Sequence, residues 1–210
     1  MNTKAITVYN TLKQMYPDAH PSLNFSNPWQ VLVATILSAQ CTDVKVNQVT
    51  PALFKRYPLP KDLAEANIND VINIIRPTGF YNNKAKNIIA TAQIVISDFG
   101  GQVPDNMAGL LKLRGVARKT ANIVLTDGFN IVAGIAVDTH VGRISRRLGL
   151  TANTDPNKVE KDICEAFPKE DWANINHLMI YFGRDMCISH RPQCARCPFF
   201  HKECIANGTF

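Results

Sequence analysis

Leu110-Leu111-Lys112-Leu113-Arg114-Gly115-Val116-Ala117-Arg118-Lys119-Thr120-Ala121-Asn122 is the stretch on which the fold turns. A short helix beginning after Asp105 ends near Leu111. Gly115 supplies the backbone freedom for a tight turn, and a new helix starts near Arg118. The pattern predicts a helix–hairpin–helix. Its hairpin amides and the positive end of the second helix point outward, where a phosphate can sit. Lys112, Arg114, Arg118 and Lys119 surround that point. From Lys112 to Arg147, seven basic residues (the four above with Arg143, Arg146 and Arg147) stand against Asp127 and Asp138. This surplus of five is nearly the whole net charge of +6, a lean toward polyanions such as nucleic acid.

Helical signals extend in both directions from the hairpin. Asn27-Pro28 reads as an N-cap with proline at the first helical position, leading into Val31, Leu32, Val33, Ile36 and Leu37. That segment is apolar nearly all round and belongs in the core. A helix from Thr42 or Asp43 meets Pro51, which is expected to kink or divide it. Ala85, Ile88, Ile89, Ala92, Val95, Ile96 and Phe99 recur three and four apart before Gly100-Gly101. Thr154 or Asp155 before Pro156 opens a helix with Val159, Ile163 and Phe167 on one face. Trp172, Ile175, Leu178, Met179 and Phe182 mark another. No stretch alternates with period two, and Ile131 to Val137 reads as a connector. The fold class is all-α.

At 210 residues, 46% hydrophobic and 19% charged, the chain buries a real core, which excludes a disordered polymer. Its longest apolar run falls far short of the roughly 18 residues of a membrane helix, so no membrane partner is expected. The first residues lack the pattern of a signal peptide, and the expected location is cytoplasmic (nucleoid-associated). Thiols stay reduced there. Cys41 and Cys164 stand alone and read as buried small hydrophobes. Cys187-x6-Cys194-x2-Cys197-x6-Cys204 reads as a metal site. Zinc and an iron–sulfur cluster both take four thiolates. One tight pair flanked by two wide arms suits the corners of a cube better than two zinc knuckles.

Two residues carry a bland and a sharp reading each. Lys119 is either one more phosphate contact or a nucleophilic amine. Its place beside Arg118 in the first turn of a helix favours the neutral form an attacking amine needs. Asp138 lies just before Val141, Ile144 and Leu148 and reads as an N-cap. It also reads as a carboxylate that steadies a cationic sugar and handles its proton.

Together these stretches resemble the endonuclease III family of DNA glycosylases with AP-lyase activity. The likeness covers Leu37 to Asp43 (Leu-Ser-Ala-Gln-Cys-Thr-Asp), Gly79 to Ala85 (Gly-Phe-Tyr-Asn-Asn-Lys-Ala), Gly115 to Asn122, Ala136 to His140 and the cysteine tail. It implies two helical lobes with a DNA cleft between them. One is a six-helix bundle with the helix–hairpin–helix, residues 21–132. The other, residues 1–20 plus 133–210, is an iron–sulfur cluster domain. The implied cofactor is a 4Fe-4S cluster on Cys187, Cys194, Cys197 and Cys204.

Position by position, Lys119 matches the family's Schiff-base lysine and Asp138 its essential aspartate. Gln40 matches the residue that fills the gap left by an extruded nucleotide, and Phe80 the wedge inserted into the base stack. Asp43 and His140 fall at the mouth of the damaged-base pocket. Arg114, Gly115, Ala117, Arg118, His140 and Arg143 are expected to line the DNA. The implied partner is double-stranded DNA containing oxidised pyrimidines or abasic sites, bound by a monomer. Arg114 and Ala117 replace a proline and a glycine of the usual hairpin, and Ala117 is expected to make the turn less permissive. The last cysteine gap is six residues instead of five, and Phe80 is bulkier than the usual aliphatic wedge. The alternatives are a mismatch-specific adenine glycosylase, which generally lacks the lysine, and a non-catalytic helix–hairpin–helix module with a structural metal.

Overall fold

The computed structural model describes residues 3–206, and among them eleven α-helices occur and no strand. The chain divides into two compact units, Pro21–Ala133 and a second made of Met1–His20 with Gly134–Phe210. Among the described residues no helix is long and apolar enough to cross a membrane.

The second unit joins sequence-distant ends of the chain. Helix α1 (Thr3–Met15) is buried through Ala5, Val8 and Leu12 and packs on the last helix of the unit. The first unit begins with α2 (Pro28–Leu37), where the Asn27 side chain accepts the Gln30 amide at 3.0 Å. Eight of its ten residues are buried, as an all-round apolar helix requires. Helix α3 (Asp43–Arg56) then runs unbroken through Pro51, contrary to a division there. Burial of Val46, Val49, Thr50 and Leu53 on its inner face offsets the ladder bond the proline cannot donate.

Two short helices, α4 (Pro60–Ala64) and α5 (Ile68–Ile75), lead to α6 (Tyr81–Phe99). Gly100 at φ +60° ends α6, and the Gly101 amide returns to Val95 at 2.9 Å. Helices α7 (Met107–Leu110) and α8 (Arg118–Ile123) complete this unit, α8 continuing as a π-helical turn over Val124–Gly128.

The connector through Ile131 to Val137 carries no helix or strand. It is held by Asn176, whose side-chain amide donates to the Ala136 carbonyl at 2.6 Å. Helices α9 (Thr139–Arg147), α10 (Pro156–Ala166) and α11 (Trp172–Asp185) follow. Asp155 caps α10 through the amides of Asn157 and Lys158. The core of this unit gathers Leu12, Ile144, Ile163, Met179 and Phe182, with Phe199 of the cysteine segment edge-on to Phe182.

Candidate functional site

The hairpin is rooted by two apolar residues and presents polar ones. Asn106 caps α7 by accepting the Gly109 amide at 2.9 Å. The chain then turns through Leu113 N–H to Leu110 and Val116 N–H to Leu113. Leu113 and Val116 are buried, while Arg114, Gly115, Ala117, Arg118 and Lys119 are exposed. Gly115 has φ +76°, which strains any other residue, and a Cβ there would also press on the Asn87 side chain at 3.1 Å. Thr91 of α6 donates to the Arg114 carbonyl at 2.7 Å and fixes the turn from below.

Ala117 has φ −99° and ψ 173°, extended backbone open to any residue. The expected loss of permissiveness at Ala117 is therefore absent: the position needs no glycine. Lys119 stands in the first turn of α8, which carries no acid.

In the same unit, three exposed residues, Gln40, Phe80 and Asn130, occupy left-handed backbone that side chains normally avoid. Gln40 follows α2 at φ +51°, and Phe80 precedes α6 at φ +47°. The Phe80 ring is 64% exposed, although burial would remove its apolar surface from water. Asp43, half-buried, opens α3.

In the second unit Asp138 caps α9, its Oδ1 accepting the Val141 amide at 2.7 Å. His140, two residues on, is half-buried. Burial pushes its imidazole below the ordinary 6.5; Asp138 opposes that shift, and Arg143 and Arg184 reinforce it. Arg143 Nη2 lies 3.2 Å from His140 Nδ1. The same Nη2 donates to the carbonyls of Gly183 and Cys187, while Nη1 donates to the Thr139 carbonyl and Nε to that of Cys187. Gly183 makes this possible: a Cβ would stand 2.7 Å from His140 Nδ1 and 3.1 Å from Arg143 Nη2. Sequence reading singled out neither Gly183 nor the inward role of Arg143, since both depend on how α9 meets α11.

The four clustered cysteines hang on successive turns. The Cys187 amide donates to Phe182, the Cys197 amide to Cys194, and the Cys204 amide to Phe199. All four are half-buried. Burial raises the thiols of Cys194 and Cys197, and each also feels Cys187 and Cys204, so the four share one patch. Among the described residues no three His, Cys, Asp or Glu side chains gather tightly enough to grip a single ion. The donor chemistry nevertheless fits a thiolate-bound cluster. Arg147 Nη1 points at Cys187 Sγ at 3.3 Å, and the backbone amides of Phe199 and Phe200 hydrogen-bond Cys197. Such donors stabilise the negative sulfurs of a cluster.

Residues 33–169 match the family described as HhH-GPD superfamily base excision DNA repair protein. The chain is 49% identical to endonuclease III of Synechocystis sp. over 198 residues, covering 94% of this chain and 90% of the relative. It is 37% identical to endonuclease III of Escherichia coli strain K12, covering 92% of each. Among solved structures it is similar to a trapped endonuclease III–DNA covalent intermediate, with a TM-score of 0.93 and 42% identity over 100% of this chain and 99% of that one. A thermostable thymine-DNA glycosylase, at 21% identity and a TM-score of 0.88, shares the fold.

Proposed function

The chain belongs to the HhH-GPD superfamily of base excision DNA repair proteins, and within it to the endonuclease III family; on that premise we propose that Lys119 and Asp138 are the groups with which it removes oxidised pyrimidines and cuts the abasic site. The observation that carries this reading is an exposed primary amine in the acid-free first turn of α8, directly after a hairpin whose polar side faces solvent.

A base inside a duplex hides its sugar carbon, so the nucleotide is extruded at a cost of a few kcal/mol, least for a damaged base. Gln40 fills the space left behind and Phe80 enters the stack. His140 and Asp43 are the residues that meet the damaged base. Lys119 Nζ attacks C1′ as the glycosidic bond breaks and its electron pair leaves with the base, which takes up a proton. Asp138 stabilises the cationic sugar and moves that proton. The sugar ring opens to an imine between Nζ and C1′. The imine acidifies C2′, which gives up a proton as the C3′–O bond breaks and the 3′ phosphate departs.

Arg114, Gly115, Ala117 and Arg118 hold the DNA backbone; these contacts position the duplex without reading its sequence. Cys187, Cys194, Cys197 and Cys204 would hold a 4Fe-4S cluster, which would stabilise a segment with little regular structure. The working form is a monomer on duplex DNA, in the cytoplasm.

The test is strand scission on a duplex carrying one oxidised pyrimidine and on one carrying an abasic site. Lys119→Gln is expected to lose scission on both while still binding the duplex. Scission by Lys119→Gln at the normal rate overturns the assignment.

A further inference from the structure

Lys84 is 4% exposed, an unusual place for a lysine. Its ammonium donates to the Thr78 carbonyl at 2.8 Å, inside the protein. The same residue's backbone amide donates to the Phe80 carbonyl at 3.1 Å, the first rung of α6. Lys84 therefore grips the chain on both sides of Gly79: the side chain holds the carbonyl before it, the main chain the carbonyl after Phe80.

The turn so held is one the chain would not adopt unaided. Phe80 sits at φ +47° and ψ 26° with its ring in water, so neither backbone preference nor the hydrophobic effect favours it. Two lesser braces flank it. Thr78 Oγ1 donates to the Ile75 carbonyl at 2.8 Å, and the Arg76 guanidinium lies over the Tyr81 ring at 5.4 Å. Cys41, next to Gln40, is close enough to act on the Lys84 ammonium, which burial pushes below its ordinary value. Lys84 thus lies between the turn that bears Phe80 and the turn that bears Gln40.

We propose that Lys84 is a positioning residue: its buried ammonium, bonded to Thr78, holds the Phe80 turn with the ring out, so that the wedge is formed before DNA arrives. This rests on the reading of Phe80 as the wedge. An unbraced turn would relax to an ordinary backbone and draw the ring in, and ordering it again would count against binding the opened duplex.

The experiment measures single-turnover base release from a duplex with one oxidised pyrimidine, and scission of a single-stranded abasic oligonucleotide, where no stack has to be opened. The proteins are wild type, Lys84→Met, Phe80→Ala and the double variant. Lys84→Met is expected to slow base release by about tenfold to a hundredfold, the upper figure being what a 1 Å displacement of a functional group can cost, and to leave single-strand scission within about twofold. In the Phe80→Ala background the same change should cost nothing further, because there is no ring left to hold. The salt slope of duplex binding should be unchanged, since a buried amine touches no phosphate. A loss of equal size in both backgrounds, or unimpaired base release by folded Lys84→Met, overturns the proposal. Undiminished base release by Phe80→Ala overturns the wedge reading beneath it. Lys84→Gln, with a donor on a shorter stem, undergoes the same comparison if Lys84→Met fails to fold.

Discussion

Asp138 shows how one side chain serves structure and chemistry together. A single oxygen, Oδ1, makes the cap on α9. Asparagine caps a helix as well as aspartate does, whereas alanine forfeits about 1 kcal/mol. Asp138→Asn is therefore expected to unfold at nearly the wild-type temperature yet to turn over far more slowly, and Asp138→Ala to lose both. Thermal unfolding beside single-turnover base release separates the two; normal turnover by Asp138→Asn would leave Asp138 a cap alone. Arg114 is a second residue-scale case. Its carbonyl is fixed by Thr91 while its side chain is exposed beside the hairpin amides. Arg114→Pro should weaken binding to damaged and undamaged duplex alike and make the slope of log K against log salt shallower by about 0.9, one phosphate contact. An unchanged slope means that the guanidinium only points into solvent. The place of Lys119 at the start of α8 and of Asp138 as the cap of α9 was legible in the sequence because both signals are local. Lys84 was not, because its burial and its partner arise from the folding back of the turn before α6.

Among the elements, caps and stops written in adjacent residues were readable: Asn27-Pro28, Asp155-Pro156 and Gly100-Gly101 bound α2, α10 and α6 as they stand. Helices α4 and α5 were not, since five and eight residues hold too little of the 3.6-residue period to set them apart from a loop. Pro51 does not divide α3, for a different reason: local preference argues for a break, and tertiary burial of its neighbours keeps the helix continuous. The crossing of α9 and α11 is equally tertiary. Gly183→Ala places a methyl group against His140 and Arg143, with Ile144 Cδ1 at 3.0 Å. Overpacking of this kind costs about 1–3 kcal/mol, so a lower melting temperature is expected. Because Arg143 also holds the Cys187 carbonyl, the variant should lose visible absorbance of the cluster sooner on heating. A Gly183→Ala protein with wild-type unfolding contradicts the packing described.

At the scale of the whole molecule, two observables follow from the half-buried groups of the second unit. The folded state holds His140 below 6.5, whereas the unfolded chain takes up its proton near that value. Between the two, the unfolded state binds more protons, so this contribution to stability is complete above about 6.5 and declines as pH falls toward the lowered folded value. Melting temperature should therefore fall with pH in that window, and His140→Gln should flatten the fall; an unflattened profile assigns it elsewhere. The cysteine patch makes the second claim. Protein purified in air should be yellow-brown with about four irons per chain, the content of a cube. Single replacement of Cys187, Cys194, Cys197 or Cys204 should remove the colour, and Cys41→Ala and Cys164→Ala should keep it. Colourless protein with one bound zinc contradicts the cluster.

The central claim is that the amine of Lys119 becomes covalently bound to the sugar, and borohydride trapping reads this directly. Reduction of the complex with an abasic duplex converts the imine into a stable secondary amine, and digestion followed by mass spectrometry locates the added sugar. The expected result is a single adduct on Lys119, absent from Lys119→Gln. An adduct on any other lysine, or one that persists in Lys119→Gln, contradicts it.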